Sequence, residues 1–293
     1  MSRIILSLLS AMLFLSSCNQ TLSDTPVVTV SIEPLRYFVE SIGGDHWRVN
    51  TLVPAGVSPE TYELTPQQVV EISESKVYFS VGTLGFEKTR LEQLTRNNPK
   101  LLTVNASDSI ALILSDEVCH HDHDDEHGHA HNHSDGIDLH TWPSTSSGRQ
   151  IAKNVLRALI SVDTLNADYY TARYDSLITH IDSLDSQIRA TLKDVQNRTF
   201  LIYHPALGYF ARDFGLRQMS VEMDGKEPSV ERMQQLISQS KAEGIRVIFI
   251  QEEHSGRSAR RIAEAIGGRV VSCAPLSRDW DEQLLYIARS LAE

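Results

Sequence analysis

The chain has 293 residues, 41% of them hydrophobic, and a formal charge of −11 from 27 Lys and Arg against 38 Asp and Glu. That length suits about two domains. The acidic balance, with no basic patch, speaks against nucleic acid as a partner. The charge is concentrated: Leu101 to Gly148 has no Lys or Arg and nine Asp and Glu, so this window gathers cations and repels anionic lipid.

The N-terminus has the pattern of an export signal. Arg3 is a minimal positive region, and Ile4 to Leu15 is an apolar run too short to span a bilayer. It closes with Leu15, Ser16, Ser17 and Cys18, which resembles the lipobox of bacterial lipoproteins. The resemblance implies removal of residues 1–17, lipid on Cys18, and a polar tether over 18–26. The expected location is the cell envelope, with the protein anchored in a membrane and facing the periplasm or the exterior. No other segment is apolar enough to cross a bilayer.

Beyond the tether, strand and helix patterns alternate. Val27 to Ser31 is β-branched and reads as a strand. Leu35, Phe38, Val39 and Ile42 then share a helical face that ends at Gly43-Gly44. Trp47 to Val53 is the next strand, 54–59 a loop, and Thr65 followed by Pro66 starts a helix. Lys76 to Val81 is a strand, Phe86 to Asn97 a helix, and Leu101 to Val104 a strand. A further helix is expected over about 147–161. This alternation predicts a parallel sheet covered by helices.

The longest periodic segment runs from about Asn166 to Val195. Tyr170, Tyr174, Leu177, Ile181, Leu184, Ile188 and Val195 recur at helical spacing, with no Gly or Pro between them. At 1.5 Å per residue such a helix spans about 45 Å, enough for the height of two lobes. The pattern lasts only about four heptads and weakens at Thr191, so it reads as an internal spine of a monomer and not as a dimer coiled coil. The alternation then resumes with strands at 199–203, 216–221, 247–250 and 269–271, each followed by a helix. The fold class is therefore α/β. Two mainly parallel lobes, 27–162 and 197–293, are joined by a long rigid helix within 163–196.

Between the lobe-one strands and the spine, Cys119 to His133 holds seven histidines: His120, His121, His123, His127, His129, His131 and His133. Neutral imidazoles suit zinc, copper and nickel, and the interleaved acids offset cation charge. The segment has no apolar period, so 119–134 reads as a solvated loop and a secondary, low-affinity metal site. Cys119 abuts this run and reads as a metal ligand more readily than as a disulfide partner of Cys273. His123 to His127 formally matches the H-x-x-E-H peptidase pattern, but that motif needs a helix and this composition offers no apolar face to hold one. No enzyme is expected.

In open α/β sheets, ligands sit beyond the carboxyl ends of strands. Four residues occupy such places: Glu60, His140, His204 and Asp279. Glu252, Glu253 and His254 form a rival group after the strand at 247–250. His46 and His180 read as surface residues. Each of the four also has an ordinary reading, Asp279 above all as a helix cap.

Their surroundings carry a further resemblance. Val53 to Glu63, with Pro54, Gly56, Pro59 and Glu60, resembles the first ligand loop of the zinc/manganese class of substrate-binding lipoproteins that serve bacterial ABC importers. His140 with Trp142, preceded by a histidine-rich insert, resembles the second. Tyr203 to Phe210 with Phe214-Gly215-Leu216 resembles the third, and Ala274-Pro275-Leu276 leading to Asp279 resembles the fourth. The resemblance implies a metal site of Glu60, His140, His204 and Asp279 in a cleft, filled by a transported ion and emptied into a membrane permease. Zinc members usually have histidine where this chain has Glu60, which leaves open whether Glu60 ligates or a water takes that place. Two carboxylates also suit manganese, whereas the histidine insert favours zinc. The alternatives are a manganese carrier or a surface-anchored zinc buffer.

Overall fold

The computed structural model describes residues 25–89, 98–114, 136–222, 225–254 and 256–293. The segment expected to be an export signal, with Cys18, the histidine run at 119–133, and part of the helix expected over 86–97 lie outside the described residues. Two four-stranded sheets form the frame, and every strand pairing within them is parallel.

The first sheet contains β1 (Val27–Val30), β2 (Arg48–Thr51), β3 (Val77–Ser80) and β4 (Leu102–Asn105), in the order β2-β1-β3-β4. The second contains β5 (Thr199–Ile202), β6 (Arg217–Ser220), β7 (Val247–Gln251) and β8 (Arg269–Cys273), in the order β6-β5-β7-β8. The two lobes thus repeat one topology. In each, the order reverses beside the first strand, and that reversal opens a crevice at the carboxyl ends.

Helices α1 (Glu33–Gly43) and α2 (Pro66–Ser73) belong to the first lobe. Thr65 and Gln68 close a reciprocal capping box at the start of α2, as the Thr-Pro signal predicts. Such a cap stabilises a helix by about 1 kcal/mol. Gln68 also reaches back, its amide donating to the Leu52 carbonyl at 2.6 Å, and so ties α2 to the loop that carries Glu60.

Helix α3 (Thr145–Val162) leads into the spine, α4 (Ala167–Leu192), whose 26 residues span about 39 Å. The spine is shorter than its apolar pattern by a turn at its C-terminal end. There the chain leaves the helix after Leu192, and Val195 packs on the core from outside it. Along the spine Tyr170, Leu177, Ile181, Leu184, Ile188 and Leu192 are buried. They face α1, α3 and the last helix of the chain. The second lobe adds α5 (Gly208–Phe214), α6 (Val230–Glu243), α7 (Arg257–Ile266) and α8 (Trp280–Ala292). No helix among the described residues is long and apolar enough to cross a membrane.

Strand alternation divides the second lobe's apolar residues between two cores. Phe200, Ile202 and Phe249 join the large core that also holds the first lobe and the spine, whereas Leu201, Ile248 and Ile250 face the other way into a smaller core with α6 and α7. One continuous core therefore crosses from lobe to lobe. Two tryptophans pin the same boundary. The Trp142 indole donates to the Pro275 carbonyl at 2.9 Å, and the Trp280 indole donates to the Trp142 carbonyl at 2.7 Å. Both rings are buried. Sliding the lobes apart would leave these donors unpaired, at about 1–3 kcal/mol each.

Candidate metal centre

Three of the four candidate residues meet between the lobes. Glu60 comes from the long loop between β2 and α2, His140 from the segment before α3, and His204 from the residue-long step after Tyr203 at the end of β5. His204 Nε2 lies 3.1 Å from His140 Nε2. Glu60 Oε1 lies 3.4 Å from His140 Nε2 and 3.3 Å from His204 Nε2. Zinc bonds of about 2.0–2.1 Å in a tetrahedron place neighbouring donors about 3.3–3.4 Å apart. The triangle has the edge lengths of a tetrahedral zinc face.

The remaining ring nitrogens are fixed from behind. His140 Nδ1 is 3.0 Å from Asp138 Oδ1, and His204 Nδ1 is 2.6 Å from Glu222 Oε1. A carboxylate at Nδ1 holds the proton there, which leaves the Nε2 lone pair facing the centre of the triangle. Two lone pairs 3.1 Å apart repel unless a cation lies between them. A metal ion or a proton supplies it. The titration of the metal-free site follows. Burial disfavours the His204 imidazolium, but the hydrogen bonds and charges of Glu222 and Glu60 outweigh it and push the pKa up to about 10. Burial likewise raises the Glu60 carboxyl, yet the His204 hydrogen bond and the neighbouring histidine charges pull it down to about 2.

Each donor has its own support. The His204 backbone is clamped by one buried amide: Gln251 Oε1 accepts from its N–H at 3.3 Å, and Gln251 Nε2 donates to its carbonyl at 2.5 Å. The Asp138 backbone N–H donates to the Ile113 carbonyl, and Thr83 Oγ1 donates to the Leu139 carbonyl. The His140 N–H itself donates to Asp138 Oδ1. His140 also lies against the edge of the Trp142 ring, 5.3 Å between centroids. Gly208 is required next to Asp138, because a Cβ there would fall 2.2 Å from Asp138 Oδ2. Glu60 is the loosest donor, with its side chain 30% exposed against 7% for His140 and 13% for His204.

Asp279 is not part of this group, against expectation. It is exposed at the start of α8. After β8 the chain turns, with the Ser277 N–H donating to the Ala274 carbonyl, and Arg278 pairs with Glu40 of α1 at 2.5 Å. The turn directs Pro275 and Leu276 toward the site and carries Asp279 away from it. Its side chain makes no helix-cap hydrogen bond either. The rival group stands closer: Glu253 and His254 line the same small pocket as Glu60, His140 and His204. Of the other histidines, His180 is exposed and pairs with Asp281, and His46 stacks on Tyr169. Cys273 is a buried free thiol.

Sequence reasoning did not single out Asp138, Glu222 or Gln251. Two of them were within reach of the rule that found His204. Glu222 follows the strand expected to end at Val221, and Gln251 follows the one expected to end at Ile250.

Two parallel α/β lobes fused along a helical spine, with a cluster of metal-type donors between them, define a metal-type substrate-binding protein. The comparisons agree. The chain belongs to the family described as ZnuA, zinc-uptake complex component A, periplasmic, whose pattern matches residues 28–290. A crystal structure of ZnuA superposes with a TM-score of 0.82 at 32% identity, covering 92% of this chain and 98% of that one. The high-affinity zinc uptake system protein ZnuA of Bacillus subtilis is 28% identical over 244 residues, 83% of this chain and 76% of its own length. A putative metal-binding protein of Treponema pallidum is 27% identical over 275 residues, 92% of this chain and 85% of its own.

Proposed function

We propose that this protein captures a divalent transition metal ion, zinc in preference to manganese, outside the cytoplasm and delivers it to the permease of an ABC importer. The observation that carries the reading is the triangle of His140 Nε2, His204 Nε2 and Glu60 Oε1, with edges of 3.1–3.4 Å and a carboxylate behind each imidazole. The zinc-uptake role named for the Bacillus subtilis relative supports the same assignment. The ion is cargo here. Two imidazoles and one carboxylate supply three of its bonds, and Asp138 and Glu222 offset its charge through the rings.

The continuous core and the tryptophan pair favour release by rearrangement of the Glu60 loop over hinge opening of the lobes. Lipid on Cys18 would hold the protein at the membrane, and the histidine run from His120 to His133 would collect ions at low affinity for the site behind it. Neither belongs to the described residues; both rest on the sequence.

The test is a chelator competition titration of the metal-free protein with zinc, beside a variant lacking residues 119–134 and a His140→Ala, His204→Ala double variant. One tight zinc equivalent that survives the loop deletion and disappears with the double substitution supports the reading. Tight binding that disappears with the loop would move the site out of the cleft and leave a surface-anchored buffer as the function. The loop's collecting role is tested separately by growth on limiting zinc, where a loop-deleted strain that grows like wild type rejects it.

A further inference from the structure

The triangle supplies three donors, and a tetrahedral ion needs a fourth. Beside Glu60, His140 and His204 the structure leaves a small, partly open space of about 10 Å³, about one water in size. Much of its remaining wall is apolar: Pro59, Trp142, Ala206, Pro275 and Leu276 offer no strong metal donor. Glu253 and His254 do. They come from the turn after β7, in which the His254 N–H donates to the Gln251 carbonyl at 3.1 Å. β5 and β7 are adjacent parallel strands, so His204 and His254 stand side by side at the crevice of the second sheet. The His254 ring stacks on the His204 ring, with centroids 5.2 Å apart and planes 27° apart. It also touches the Tyr203 ring at 5.1 Å.

Charge chooses between the two. An ion held by Glu60, with Asp138 and Glu222 behind the imidazoles, already faces three carboxylates. Glu253 would add a fourth around two positive charges, whereas His254 adds a neutral donor. We propose, on the basis of the function assigned above, that His254 is the fourth ligand and the residue that sets the preference for zinc over manganese. Binding draws its ring off the stack on His204 and turns it toward the triangle. The resulting set of three nitrogens and one oxygen is the softer, tetrahedral kind that suits zinc. Two nitrogens, one carboxylate and water would suit manganese better. The role falls to the turn after β7 because the turn after β8 carries Asp279 outward.

The experiment compares the purified wild-type protein with His254→Ala, His254→Gln and Asp279→Ala. Zinc and manganese are each titrated by chelator competition, and the visible spectrum of the cobalt(II) form is recorded. His254→Ala is expected to weaken zinc by at least about tenfold and manganese by less than about threefold, and to shift the cobalt bands away from the four-coordinate pattern. Asp279→Ala is expected to change none of these. His254→Gln keeps the side chain's polarity and comparable bulk, so it decides the matter if the alanine variant fails to fold. An unchanged zinc-to-manganese ratio and an unchanged cobalt spectrum in the His254 variants overturn the proposal while leaving the site reading intact. A wild-type protein that binds no zinc tightly, or one whose tight zinc survives loss of His140 and His204, overturns the site reading itself.

Discussion

The two lobes share one topology but hold their donors differently. In the second lobe His204 follows β5 almost directly, and Gln251 and Glu222 grip its backbone and ring within the same sheet. In the first lobe Glu60 lies several residues beyond β2 in an irregular loop, and His140 comes from a segment held by contacts outside any strand. The second lobe therefore presents a preformed donor, and the first presents donors whose positions are set by loops. A carrier needs both: a fixed post to define the geometry and an adjustable side through which the ion enters and leaves. The same sheet plan serves both purposes because loop length, not strand order, decides how firmly a residue is held.

Variants of the donors test that contrast most strongly. His204→Ala should lower zinc affinity by more than about 100-fold, beyond the range of outer partners, and Glu60→Ala should cost distinctly less. Chelator competition gives both values. Equal losses would mean that the loop donor is as fixed as the strand-end donor, and the contrast would fail.

The next largest effect is that of pH. Zinc must displace the proton that Glu222 and Glu60 hold on His204, whose metal-free pKa is raised to about 10. Apparent affinity should therefore rise about tenfold per pH unit between 6 and 9, with about one proton released per ion, readable by calorimetry in buffers of different ionisation enthalpy. The metal-free fold should respond in a matching way. His204 contributes stability fully below its unfolded pKa near 6.5 and loses it as pH rises through about 10. Glu60 contributes above its unfolded value near 4.5 and loses it as pH falls toward about 2. Thermal melts of the metal-free protein should show these two contributions together between about pH 4.5 and 6.5.

Smaller effects separate the supports. Glu222→Gln and Asp138→Asn should each weaken zinc by about 10–100-fold. The Glu222 change should be the larger, because that carboxylate is 4% exposed against 11% for Asp138. Gly208→Ala should act mainly through Asp138, with a lesser push on Gln218, moving Asp138 off His140 and costing about as much as a mild form of Asp138→Asn. If Gly208→Ala leaves affinity unchanged, His140 does not depend on its carboxylate for orientation.

Much of the frame was legible in the sequence because apolar period reports burial directly. The spine, the two runs of alternating strands and helices, and the Thr65-Pro66 helix start follow from spacing and local chemistry alone. Glu60 and His204 were legible from their places after strands, and His140 from the short apolar stretch at 137–139, which forms no strand beyond a single bridge at Ile137. Asp279 was misplaced because the turn at Ala274 to Ser277 decides which way the chain faces, and no single residue there announces the direction. Asp138 and Glu222 escaped notice for another reason. Glu222 serves a histidine on a neighbouring strand end, and Asp138, though only two residues before His140, carries no signal of its turn geometry; in the sequence each is one acid among 38 Asp and Glu.

The paired indoles of Trp142 and Trp280 have a consequence for recognition at the membrane. A carrier that snaps shut announces its cargo by its outline, and a permease can sort full from empty by silhouette. A carrier whose halves are bolted together offers nearly the same outline in both states. If release runs through the Glu60 loop as proposed, sorting would be done by touch at the surface around that loop, and an empty copy would compete for the same berth unless that patch tells the two apart.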